Sequence, residues 1–126
     1  MATQSQVERR IALGQGLFYV ASGLWPVFDR ESFERVTGPK TDFWLVKTVG
    51  LLLTTAGAAL IAAGYRRSVS PEMKMVGAGS AASLSGIGFY YGIKGRISRI
   101  YLVDAVVQGG IAALWITASR RAPATF

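Results

Sequence analysis

GPKTDFWLVKTVG, residues 38–50, is the stretch from which the fold is read. Within it a polar loop becomes an apolar helix. Gly38-Pro39 ends any preceding helix, because proline has no amide hydrogen and glycine favours a turn. Asp42 then stands at an N-cap position, and Phe43 opens a run that stays largely apolar to Gly64. At ~1.5 Å per residue, such a run spans a hydrocarbon layer ~30 Å thick. Trp44 sits where an amphipathic ring marks the membrane surface. Lys47 lies one turn deeper, and a charge inside a membrane helix is costly unless it is paired or reaches the headgroups.

Working outward, three more blocks have the same character. The spacing of apolar residues predicts transmembrane helices over 11–28, 43–64, 71–93 and 99–119. The expected architecture is all-α: an antiparallel four-helix transmembrane bundle in one membrane domain, 1–126. A short interfacial helix is expected in the connection 29–42, between the first and second crossings. Arg9-Arg10 before an apolar run also fits a secretory leader, but Trp25-Pro26 and the absence of a small-residue cleavage pattern favour a retained helix. Ser70-Pro71-Glu72 is a strong start for the third crossing: an N-cap, a proline at the first helical position and an acid at the positive helix end.

Small residues mark the expected helix contacts. Gly50, Gly57 and Gly64 recur at a heptad interval on the second crossing, and Gly79, Ser83 and Gly86 form a stripe on the third. Gly109 extends a similar stripe on the fourth. Small side chains let membrane helices approach closely, so these positions are expected at helix–helix contacts. Trp25, Trp44 and Trp115 are expected in the interfacial belts.

Composition removes several chemistries. The chain has no cysteine and no histidine, which excludes disulfides, thiol redox pairs, Cys/His zinc sites and histidine-based nucleophile systems. Neither a catalytic residue, a cofactor nor a metal is expected. The net charge of +7 comes from basic residues beside the apolar blocks. Membrane lipids, not nucleic acid, are the partners this distribution fits. Four crossings divide the fourteen basic residues evenly between the two sides. Discounting Lys47 as intramembrane tips the count towards cytoplasmic termini.

Lys47 follows Asp42 by the same interval as Asp104 follows Arg99, which places the two charges at one depth. A buried Lys47–Asp104 ion pair is therefore expected, joining the second crossing to the fourth. Tyr19, Thr54, Tyr90, Tyr101 and Gln108 are expected to continue it as a polar seam. Gln15 is expected to make an interhelical hydrogen bond. The GxG at Gly14-Gln15-Gly16 lies inside an apolar helix with no preceding strand, so it is not a nucleotide loop.

GPKTDFWLVKTVG, RISRIYLVDAVVQ (96–108) and FYVASGLWPVF (18–28) together resemble a group of small, uncharacterised four-helix inner-membrane proteins of bacteria. The resemblance implies a multi-pass protein of the bacterial inner membrane and brings no activity with it. The function expected is non-enzymatic: a small structural or accessory subunit in a larger membrane complex, of respiratory or photosynthetic type. The alternative is a small homodimeric transporter or binder of a lipid-like ligand, using the Asp104/Lys47 pair.

Overall fold

The computed structural model describes residues 3–95 and 99–120. Among them the chain is all-α, with five helices and no strand: α1 Gln4–Phe28, α2 Arg30–Thr37, α3 Phe43–Gly64, α4 Pro71–Ile93 and α5 Ile100–Arg120. Three segments, Ser5–Phe28, Phe43–Gly64 and Ile100–Ala118, are long and apolar enough to cross a membrane. The chain thus has the character of a membrane protein, while α4 falls short of that mark.

The helix starts follow local chemistry. Ser70 accepts a hydrogen bond from the Met73 amide at 3.2 Å, and Pro71 opens α4. Thr3 and Gln6 form a reciprocal capping box, so α1 begins at Gln4 and not at residue 11 as expected. The polar segment before Ile11 is helical because its cap is satisfied and Glu8 finds a partner. Asp42 occupies the N-cap position of α3 but makes no side-chain cap hydrogen bond. Pro26 lies inside α1, close enough to the end that the helix continues to Phe28.

The short helix α2 is clasped at both ends. Asp29 accepts from the Ser32 amide at 3.1 Å, and Glu34 accepts from the Lys40 amide at 2.7 Å and from Arg30 at 2.9 Å. These amide hydrogen bonds hold both carboxyls below their ordinary titration range. Trp25 donates its indole N–H to Ser32 at 2.8 Å, and Phe33 packs edge-on between Trp25 and Phe43. The Lys40 ammonium lies 5.2 Å above the Tyr101 ring, which ties the connection to the start of α5.

The long helices form two tight pairs. In the first, α1 and α3 run antiparallel with their glycines interlocked. A Cβ added to Gly16 would lie 2.6 Å from the Gly57 carbonyl oxygen, and one added to Gly57 would lie 2.7 Å from that of Gly16. Gly23 and Gly50 repeat this backbone contact a heptad away, and Gly64 receives the Leu13 side chain. In the second pair α4 and α5 are also antiparallel: Gly88 faces Ala105, Gly92 faces Leu102, and Ser85 donates to the Ala105 carbonyl at 2.8 Å. A core of Ala12, Tyr19, Leu60, Ala63, Val69 and Trp115 lies where the pairs meet.

The contact faces correct part of the expected pattern. Gly50, Gly57 and Gly64 are buried on α1, and Gly109 meets Ser85. Gly79, Ser83 and Gly86 instead point outward, with nothing within 4 Å of a Cβ at either glycine. The buried face of α4 is Gly77, Ala81, Ser85, Gly88 and Gly92. The helix carries small residues on two opposite sides, so small size alone could not say which side is covered.

Candidate functional site: a polar seam between two helix pairs

The seam is built on one face of α1. Glu8, Gln15, Tyr19 and Ser22 follow one another at helical intervals, so their side chains leave the helix on one side. The first three are buried. Each of those three meets a polar group contributed by α4, and Gln15 and Tyr19 also meet α5. Ser22 turns back onto the Phe18 carbonyl of its own helix.

Gln15 is the hub. Its amide nitrogen donates to the Gly77 carbonyl at 2.9 Å and reaches the Ser80 hydroxyl at 3.5 Å. Its carbonyl oxygen accepts from the Trp115 indole at 2.7 Å. Gly77 makes room for that indole: a Cβ there would stand 2.5 Å from the Trp115 nitrogen. Gln15 is thus the interhelical hydrogen-bond partner expected of it. Trp115 is not in an interfacial belt. It is 1 % exposed, because its N–H is satisfied by Gln15 and its rings fill the space above Gly77.

One turn further on, the Tyr19 hydroxyl donates to the Gln108 side-chain carbonyl at 2.8 Å and lies 3.3 Å from the Ser80 hydroxyl. Gln108 in turn donates to Asp104 at 3.4 Å. The chain of contacts therefore runs from Trp115 through Gln15, Ser80, Tyr19 and Gln108 to Asp104, joining α1, α4 and α5. At the other end, Lys74 of α4 approaches Glu8 at 2.8 Å. The contact is ionic: the Glu8 oxygen that makes it has no well-directed hydrogen bond.

The expected Lys47–Asp104 pair does not form. Lys47 is exposed on α3, and the half-buried Asp104 takes its hydrogen bond from Gln108. Equal depth brought the two charges together on paper, but α3 packs on α1 and α5 packs on α4, so their faces do not meet. Among the described residues, the buried ion pair is Glu8–Lys74 instead.

Tyr19 and Gln108 are members of the seam; three other expected members are not. Thr54 bonds the Gly50 carbonyl of its own helix at 2.8 Å within the α1–α3 contact. Tyr90 is 54 % exposed and accepts from Lys94 at 2.9 Å. Tyr101 lies under Lys40 near the start of α5. Trp25 is partly covered by α2, while Trp44 is 66 % exposed, as a ring facing a membrane surface would be.

Glu8, Lys74 and Ser80 are seam residues that the sequence reading did not find. The common face of Glu8, Gln15 and Tyr19 was the available signal. It is hidden when the first helix is started at residue 11, because Glu8 then lies outside it. Comparison with family models, with curated proteins and with solved structures finds no match to this chain.

Proposed function

We propose that this chain is a non-enzymatic, four-crossing protein of a bacterial inner membrane, acting as a small structural or accessory subunit of a larger membrane assembly. In this reading α4 is the fourth crossing. Its polar groups need not meet lipid, because Lys74, Ser80 and the Gly77 carbonyl face partners on α1. Four alternating crossings form an antiparallel bundle with both termini on one side. The bacterial setting rests on the resemblance of the three motifs.

The observation that carries the reading is the closure of the seam on itself. Gln15 and Tyr19 direct their side-chain donors and acceptors to neighbouring helices, which makes the polar interior a device for holding helices together. A second reading is a homodimeric transporter or binder of a lipid-like ligand. It is favoured by Asp104, a carboxylate in an apolar helix whose nearest polar partner is the neutral Gln108.

Purification of the chain from its native membrane in mild detergent separates the two. An accessory subunit is expected to bring stoichiometric amounts of other membrane proteins with it. A monodisperse particle of this chain alone would refute that role and leave the homodimeric reading.

A further inference from the structure

One face of α4 has no neighbour among the described residues. Glu72, Val76, Gly79, Ser83, Gly86, Tyr90 and Ile93 lie along it, and every one of them is exposed. Their spacing alternates between four and three residues, the seam of two helices packed at a shallow angle. The chain shows elsewhere what it does with such a pattern. The heptad glycines of α3 close on α1 at backbone contact, whereas Gly79 and Gly86 meet nothing. Among the described long helices, α4 is also the one less apolar than the three long and apolar enough to cross a membrane.

The two ends of this face carry opposite charges. Glu72 stands at its start and Lys94 at its finish, about 33 Å apart along the helix axis. That separation matches a hydrocarbon layer ~30 Å thick. Lys94 already lies along the face, 4.4 Å from the centre of the Tyr90 ring. Two copies mated in the same direction would set Glu72 against Glu72 and Lys94 against Lys94. Mated in opposite directions, Ser83 meets Ser83, Gly79 meets Gly86, and each Glu72 meets the partner's Lys94. Charges at the rim of a contact select orientation and suppress the wrong mating more than they add affinity.

We propose that a second copy of this chain, inserted the other way up, covers the outward face of α4. The distribution of basic residues fits this. Lys47 lies inside α3 and Lys74 is held by Glu8 inside α4, so discounting one from each side of a four-crossing chain leaves six basic residues on both. A tied count gives the positive-inside rule no orientation to choose, and both are populated. The inference rests on the four-crossing reading and is independent of an accessory role.

The test uses the full chain in bacterial membranes. It has no cysteine, so introduced ones are unique, and the outward glycines accept a side chain without disturbing the fold. Chains bearing Gly79→Cys are expected to cross-link to co-expressed chains bearing Gly86→Cys and not to one another. Glu72→Lys in both chains is expected to cut that yield several-fold, and Lys94→Glu added to both chains to restore it. Thr3→Cys, and separately a cysteine appended after Phe126, are each expected to react in about half of the chains with a membrane-impermeant thiol reagent. Cross-linking of Gly79→Cys chains to one another would mean copies lying in the same direction and would overturn the proposal. So would a lack of any cross-link, which would give the face to lipid or to another protein. All-or-none labelling that is equal at the two ends would keep the four crossings and remove the opposed pair. One end labelled and the other silent would take α4 out of the membrane and defeat the four-crossing reading itself.

Discussion

Glu8 and Lys74 touch at 2.8 Å, but they are not equivalent partners. The Glu8 side chain is 4 % exposed and the Lys74 side chain 28 %. Removing Lys74 leaves a carboxylate that cannot reach water, whereas removing Glu8 leaves an ammonium on a long stem that can bend outward. Lys74→Ala is therefore expected to cost about 3–5 kcal/mol of stability, and Glu8→Ala about 1 kcal/mol or less. Unfolding in mixed detergent micelles measures both, and equal losses would contradict the asymmetry. At this scale the sequence was only partly legible. Depth along a helix can be counted from residue numbers, and it placed Lys47 level with Asp104. Direction around the bundle cannot be counted until the neighbours are known. Gln15 was legible because an amide inside an apolar helix needs a partner whichever helix supplies it.

The five helices were easier to read than their contacts. Gly38-Pro39 and Ser70-Pro71 act through local geometry and capping that need no distant neighbour, and α3 and α4 begin where expected. The start of α1 is less legible, because its cap, Thr3 with Gln6, lies in a polar stretch that carries no apolar helical period. The glycines sort into two kinds that look alike in sequence. At Gly57 a methyl group would collide with the backbone of α1, while at Gly110 it would meet nothing within 4 Å. Gly57→Ala is expected to destabilise the protein by about 1–3 kcal/mol through forced separation of α1 and α3. Gly110→Ala is expected to be neutral or to stabilise it by up to about 1 kcal/mol, because alanine is the better helix former. Thermal unfolding of the two variants in the same detergent is the check, and a reversed order would mean that the α1–α3 contact is looser than its geometry.

For the whole molecule, two antiparallel pairs joined by a polar seam is a different object from four equivalent helices in a ring. The sequence pointed to the number of long helices and to small-residue contact, but it carried no sign that α1 would sit between α3 and the second pair. That arrangement depends on which polar faces find one another, a property of three helices at once. It has a direct consequence for a divided chain. Fragments 1–67 and 68–126, broken at the exposed Arg67–Ser68 junction, each contain one complete pair. They are expected to recover one another when co-expressed with a tag on one fragment only. Gln15→Leu together with Tyr19→Phe is expected to lower that recovery several-fold, since the pair of changes removes the links to Gly77, Trp115 and Gln108. Undiminished recovery would assign the cohesion of the two halves to apolar contact alone.

The position of Glu8, Gln15 and Tyr19 on the first helix also has a meaning in time. A ribosome makes α1 long before α4, so in a growing chain these side chains reach the membrane with their partners still unmade. When α4 emerges, it is the long helix that lipid would accept least readily. The groups that make it acceptable are already waiting at the correct height, on a helix held in place by α3. In the four-crossing reading the first helix is therefore the template on which α4 is inserted, and the order of synthesis becomes part of how this sequence reaches its fold.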